Sequence, residues 1–133
     1  MVFVPFQNEP AAVYQAMDIV VHASTEREPF GRTIVEGMAC GCAVVVANDG
    51  GAAELFTDGV DALGYKMGDA QALAARLDEL VGDPALRARL GREARASAVE
   101  RFSAERLGGA FASIYRRLSG QQRDRGERAP PTR

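Results

Sequence analysis

Long apolar runs are missing from this chain of 133 residues, and no stretch approaches the roughly 20 residues of a membrane-spanning helix. The opening, MVFVPFQNEP, has neither a basic leader nor a long apolar segment, so no secretion signal is read there. Basic residues clustered among aromatics are lacking, and the formal net charge is -2, which argues against a nucleic-acid surface. Lysine occurs once, at Lys66, and histidine once, at His22. Cysteine is scarce. Cys40 and Cys42 stand one residue apart, which is no disulfide framework, and no further ligand pair accompanies them for a metal. Small core thiols in a reducing, cytoplasmic setting are the expectation. No G-x-G-x-x-G follows a strand, which tells against a generic NAD-binding domain.

What is present fits one soluble globular domain, with 47% hydrophobic residues and no internal repeat. Residues 2–6 (VFVPF) read as a short strand. A helix follows with Asn8 as N-cap and Pro10 in its first turn. Residues 19–24 (IVVHAS) form a continuous apolar strand of the kind buried on both faces. After an acidic loop, a helix starts near Arg32 or Thr33 and ends by Gly41, with Ile34, Val35, Met38 and Ala39 on its apolar face. Residues 42–48 are another buried strand, DGG turns into a short helix, and a weak last strand lies around Ala62 to Tyr65. Three helical patterns close the chain. The first, 69–81, buries Leu73, Leu77 and Leu80. The second, 84–102, has Asp83 as N-cap and Pro84 at its first position. The third starts behind Ser103, has Glu105 in its first turn, and carries Leu107, Phe111, Ile114, Tyr115 and Leu118. Residues 119–133 offer no core-forming side chain and read as a disordered tail. Strands alternating with helices imply an α/β fold, a Rossmann-like and mainly parallel sheet with flanking helices.

In such a sheet, ligands bind outside the carboxyl ends of the strands. The loop from Ala23 to Gly31 lies at such an end and leads into a helix whose first N–H groups attract anions. Gly31 removes a side chain where a ligand would approach the backbone. Glu36, one turn inside the helix, cannot serve a phosphate because like charges repel, but it can accept two hydrogen bonds from the hydroxyls of a ribose. Glu28, on the loop, can take hydroxyls of a second polar group beyond the phosphates. Carboxylate, backbone donors, carboxylate: the order suits a sugar–diphosphate–nucleoside ligand.

Blander readings stand beside these. Acids around a helix start are favoured by its dipole alone. Gly50–Gly51 could cradle a ligand or merely make a strand-to-helix turn. Arg32 could reach a phosphate, or pair with Glu26 or Glu28. His22, ending a buried strand, reads as a hydrogen-bonded core residue ahead of a general base.

The run STEREPFGRTIVEGMACG (24–41), followed by AVVVANDGGAAE (43–54), closely resembles the E-x7-E region of retaining glycosyltransferases of family 4. The resemblance extends over Val2 to Leu118, including DPALRARLGREARASAVERFS (83–103). It implies a GT-B architecture of two Rossmann-like domains, of which residues 1–118 would be the C-terminal, nucleotide-sugar-binding one. Matched by motif, Glu36 would hold the ribose hydroxyls and Glu28 would contact the transferred sugar, as nucleophile or positioning group. The N–H groups of Phe30 and Gly31 would reach sugar hydroxyls, those of Thr33 and Ile34 the diphosphate, and the main chain near Phe6 and Gln7 the base. No metal and no cofactor beyond the donor substrate would be needed. One common variant has Gly after the first Glu; Pro29 stands there here, which stiffens the loop and leaves both carboxylates in place.

The family's enzyme further needs an N-terminal domain with the acceptor site, and an Arg/Lys pair to neutralise the leaving diphosphate. Lys66 does not match that pair. The expectation is a donor-binding part, incomplete on its N-terminal side and inactive by itself. Any peripheral membrane contact would run through the absent domain. The alternative is a non-catalytic remnant that binds nucleotide or protein; a GT-B-fold epimerase ranks lower. Because the family's first strands are absent, residues 2–6 must pair directly with 19–24 or leave the sheet.

Overall fold

The computed structural model describes residues 2–126, which divide into a unit ending at Val99 and a unit beginning at Glu100. Helix α1 (Pro10–Gln15) and strand β1 (Ile19–His22) open the first unit. Helix α2 (Arg32–Ala39), strand β2 (Ala43–Ala47), a 3₁₀ turn (Gly50–Glu54) and strand β3 (Leu63–Tyr65) follow. Helices α3 (Ala70–Gly82) and α4 (Pro84–Phe102) come next. The sheet is parallel throughout in the order β1–β2–β3, with Ile19 opposite Ala43 and Val45 opposite Leu63.

Every residue of β2 is buried, as a central parallel strand covered on both faces must be. One face carries Ala43, Val45 and Ala47, which join Leu63, Tyr65, Leu80 and Leu90 in a core. Leu73 and Leu77 pack against that core partly buried, while Leu80 is fully buried. Helix α2 buries Ile34, Gly37 and Met38, and Gly37 lets it approach the side chain of Val20. Caps act where the local sequence places them. Asp69 accepts from the N–H of Ala72 at 2.9 Å and Asp83 from that of Leu86 at 2.9 Å. Buried Asp61 accepts from the N–H of Thr57, and Asp58 accepts from that of Gly64, which closes the loop before β3.

Four expectations fail. Residues 2–6 form no strand: they leave the sheet, with Phe3 83% and Phe6 90% exposed. Among the described residues strand β1 pairs with β2 alone and so lies at the sheet's edge, shorter than 19–24 and with Val21 exposed rather than buried. Asn8 caps nothing. Glu9 occupies the N-cap position of α1 without a side-chain bond. Helix α5 (Ala104–Gly126), in the second unit, runs past Leu118, so residues 119–126 are helical where a disordered tail was expected. Gln121, Gln122, Arg123 and Arg125 are good helix formers and no proline interrupts them. Residues 127–133 of that tail lie outside the described residues. In the second unit the guanidinium of Arg101 lies 4.9 Å from the ring centre of Phe102, and Leu107, Phe111, Ile114 and Leu118 are exposed along α5.

Candidate functional site

The loop 23–31 leaves the carboxyl end of β1 and enters α2 through Gly31, which has φ 92° as the N-cap of the helix. A Cβ at Gly31 would lie 2.8 Å from Cδ1 of Ile34, so left-handed backbone and close packing both require glycine. The residue's expected role, letting a ligand approach, is therefore joined by a structural one. Phe30 is 46% exposed beside it. Arg32 and Thr33 occupy the first turn, where no helical carbonyl precedes their N–H groups. Ile34 differs from expectation: its N–H already donates to the Gly31 carbonyl at 3.0 Å, and its side chain is fully buried. It anchors the helix start rather than offering a free donor.

Glu36 is held from two sides. The phenol of Tyr14, on α1, donates to its Oε2 at 3.1 Å, and Nη2 of Arg32 donates to its Oε1 at 2.8 Å. The Arg32 pairing was expected with Glu26 or Glu28; spacing of four residues along one helix face favours Glu36 instead. Tyr14 was not singled out in the sequence. Burial, then the Glu36 carboxylate, pushes its phenol above the ordinary 10.0, with the Thr33 hydroxyl acting in the opposite sense.

Glu28 is half-buried on the loop, and its Oε2 lies 3.5 Å from Nε2 of His22. That is an ion-pair distance rather than a formed hydrogen bond, and both ring nitrogens of His22 lack a hydrogen-bond partner. The expected hydrogen-bonded core histidine is buried but unsatisfied. The loop is fixed from behind. The N–H of Gly51 donates to the Glu28 carbonyl at 2.8 Å, and a Cβ on Gly51 would lie 2.1 Å from the carbonyl oxygen of Pro29. The glycine pair thus seats the Glu28 loop. Arg27, on the same loop, lies 3.5 Å from Asp49, whose carboxylate also accepts from the N–H of Gly50.

A groove of about 440 Å³ runs between residues 4–7, α1 and the outer edge of β1, with Tyr14 and Thr33 on its wall. Neither glutamate lines it, though Tyr14 on its wall is the residue that donates to Glu36. Cys42 is buried, its thiol directed at the Tyr14 carbonyl at 3.2 Å, and burial first, then Cys40, raises it above the ordinary 9.0. Among the described residues no group of three or more His, Cys, Asp or Glu is placed to hold a metal ion. No helix among them is long and apolar enough to cross a membrane.

Among solved structures, that of Anabaena HepE in complex with UDP is similar. It has 36% sequence identity and a TM-score of 0.80, over 83% of this chain and 30% of that one. The C-terminal domain of a glycosyl transferase group 1 family protein, LpcC, from Francisella tularensis matches 78% of this chain and 53% of its own, at 30% identity and a TM-score of 0.69. A curated relative, the lipopolysaccharide core biosynthesis glycosyltransferase LpsE of Rhizobium meliloti, is 30% identical over 84% of this chain and 33% of its own. The chain thus spans about a third or less of the curated relatives it matches (29% and 33% of two of them). The pattern of the family "Glycosyl transferases group 1" matches residues 1–97, and with the parallel sheet in place, the chain belongs to that glycosyltransferase family.

Proposed function

We propose that this chain forms the donor-binding part of a retaining glycosyltransferase that moves a sugar from a nucleotide-diphospho-sugar to an acceptor. The observation that carries the reading is the placement of two carboxylates around one helix start. Glu28 lies on the β1–α2 loop and Glu36 one turn inside α2, with Gly31 as the N-cap between them. Glu36, oriented by Tyr14 and Arg32, accepts the ribose hydroxyls. The N–H of Thr33 and the positive end of α2 meet the diphosphate. The backbone at Phe30 and Gly31, together with Glu28, meets the transferred sugar. Solved relatives in complex with UDP and with UDP-glucose support a nucleotide-sugar as the ligand class.

The donor half of such a site positions the anomeric carbon, but it does not complete the reaction. Group transfer needs a held acceptor and cationic groups facing the departing diphosphate. Arg27 and Arg32, the two arginines nearest in sequence to the loop and helix start, are paired with Asp49 and Glu36. Acceptor binding and leaving-group stabilisation therefore belong to further residues of a full-length transferase, the chain alone does not turn over, and no metal is required.

Calorimetric titration of the 133-residue chain with UDP and UDP-glucose tests this. Binding of both ligands is expected, with loss of both in Glu36→Ala. Unchanged binding in Glu36→Ala would overturn the ribose role of Glu36, and a parent chain that binds neither ligand would leave only a family fold without its nucleotide site.

A further inference from the structure

His22 is more than nine-tenths buried, with both ring nitrogens unsatisfied, a costly condition that a packed interior does not normally tolerate. It stands two residues beyond Val20 on β1, on the face that α2 covers, at the point where the strand gives way to the loop. The polar group it addresses is the carboxylate of Glu28, Nε2 to Oε2 at 3.5 Å. Among the described residues no other side chain holds the Glu28 carboxylate, and its backbone is already fixed by Gly51. With the backbone seated, the remaining freedom of Glu28 is in its side-chain torsions, and His22 is the group that meets them.

We propose that His22 is a positioning residue for Glu28. The proton on Nε2 holds Oε2, and Oε1 is left to face the hydroxyls of the transferred sugar. This rests on the reading of Glu28 given above. The contact shortens to a charge-assisted hydrogen bond when bound sugar closes off solvent, because contacts of this kind are often long before the ligand arrives. Burial of the ring gives the device its stiffness: the imidazole cannot swing away, so the carboxylate it addresses is restrained with it. Its effect belongs to the sugar and not to the nucleotide, since UDP alone ends before Glu28.

The experiment is a calorimetric comparison of UDP and UDP-glucose on the 133-residue chain and its variants. His22→Leu is expected to weaken UDP-glucose about tenfold, the loss typical of one charge-assisted hydrogen bond, with UDP affinity unchanged. His22→Gln, which keeps a donor, recovers most of that loss. Glu28→Ala shows the same sugar-specific loss, and adding His22→Leu to it costs nothing more, as coupled partners require. If His22→Leu binds UDP-glucose within twofold of the parent while Glu28→Ala does not, the positioning role is overturned and the Glu28 reading stands. If His22→Leu weakens both ligands alike and His22→Gln does not recover, the residue is only structural and the proposal falls. If Glu28→Ala loses nothing, or the parent chain binds neither ligand, the donor-site reading fails and the positioning role fails with it.

Discussion

The N–H of Gly51 donates to the carbonyl oxygen of Glu28 at 2.8 Å, which joins the turn after β2 to the loop after β1. At that junction the backbone of Pro29 leaves no room for a side chain on Gly51. Gly51→Ala must push the loop away, and overpacking of this kind costs about 1–3 kcal/mol. A urea melt is expected to register that loss. UDP-glucose affinity should fall further than UDP affinity, since Glu28 moves with the loop. A variant as stable as the parent would show that the loop does not rest on the turn.

Tyr14 and Glu36 give a second handle. Tyr14→Phe removes one hydrogen bond to the carboxylate and nothing else in shape, so stability drops by about 1 kcal/mol. UDP affinity falls severalfold because Glu36 is then oriented by Arg32 alone. Arg32→Ala, by contrast, breaks an exposed pair and changes stability by less than about 1 kcal/mol. Equal melts for parent and Tyr14→Phe would remove α1 from the support of the site.

Leu80 is fully buried where α3 meets the sheet. Leu80→Ala leaves a cavity there and is expected to cost about 2–5 kcal/mol in a denaturant titration. Val81→Ala, one residue on and exposed, is the matched control and should cost little.

Alkaline pH weakens the fold. Tyr14 and Tyr65 are raised above 10.0 and Cys42 above 9.0, each chiefly by burial. The folded state therefore holds these protons more tightly than the unfolded one. Their stability is fully present below the ordinary values and is lost as pH rises through the higher folded ones. Melting temperature should decline from about pH 9 upward, and less steeply in Tyr14→Phe. A flat profile across that range would contradict the burial of these groups.

Much of this was legible in the sequence because its causes are local. Asp69 and Asp83 announce helix starts within three residues of the N–H groups they cap, and the apolar run of β2 has no place but a sheet interior. The loop after β1 and the helix that starts at Arg32 fall where turn chemistry and apolar spacing put them. What escaped depends on partners far along the chain. Residues 2–6 have the composition of a strand but no neighbour to pair with, so they lie exposed. Tyr14 reaches Glu36 across 22 positions, and nothing in the composition of α1 marks it out. His22 was expected to be satisfied because buried histidines usually are, and only the geometry reveals that it is not. Gly51 is set by the Pro29 carbonyl behind it, a neighbour on another loop that local sequence does not report.

The parallel pairing of Ile19 with Ala43 encloses the whole segment that carries both carboxylates. No ladder bond between β1 and β2 can form until that crossover has closed, so the loop entropy is lost before any pairing repays it. The same closure that nucleates the sheet therefore assembles the site. A folding intermediate that had α3 and α4 but not this crossover would present no organised pair of glutamates. In refolding kinetics, recovery of ligand binding should coincide with the formation of β-structure and never run ahead of it.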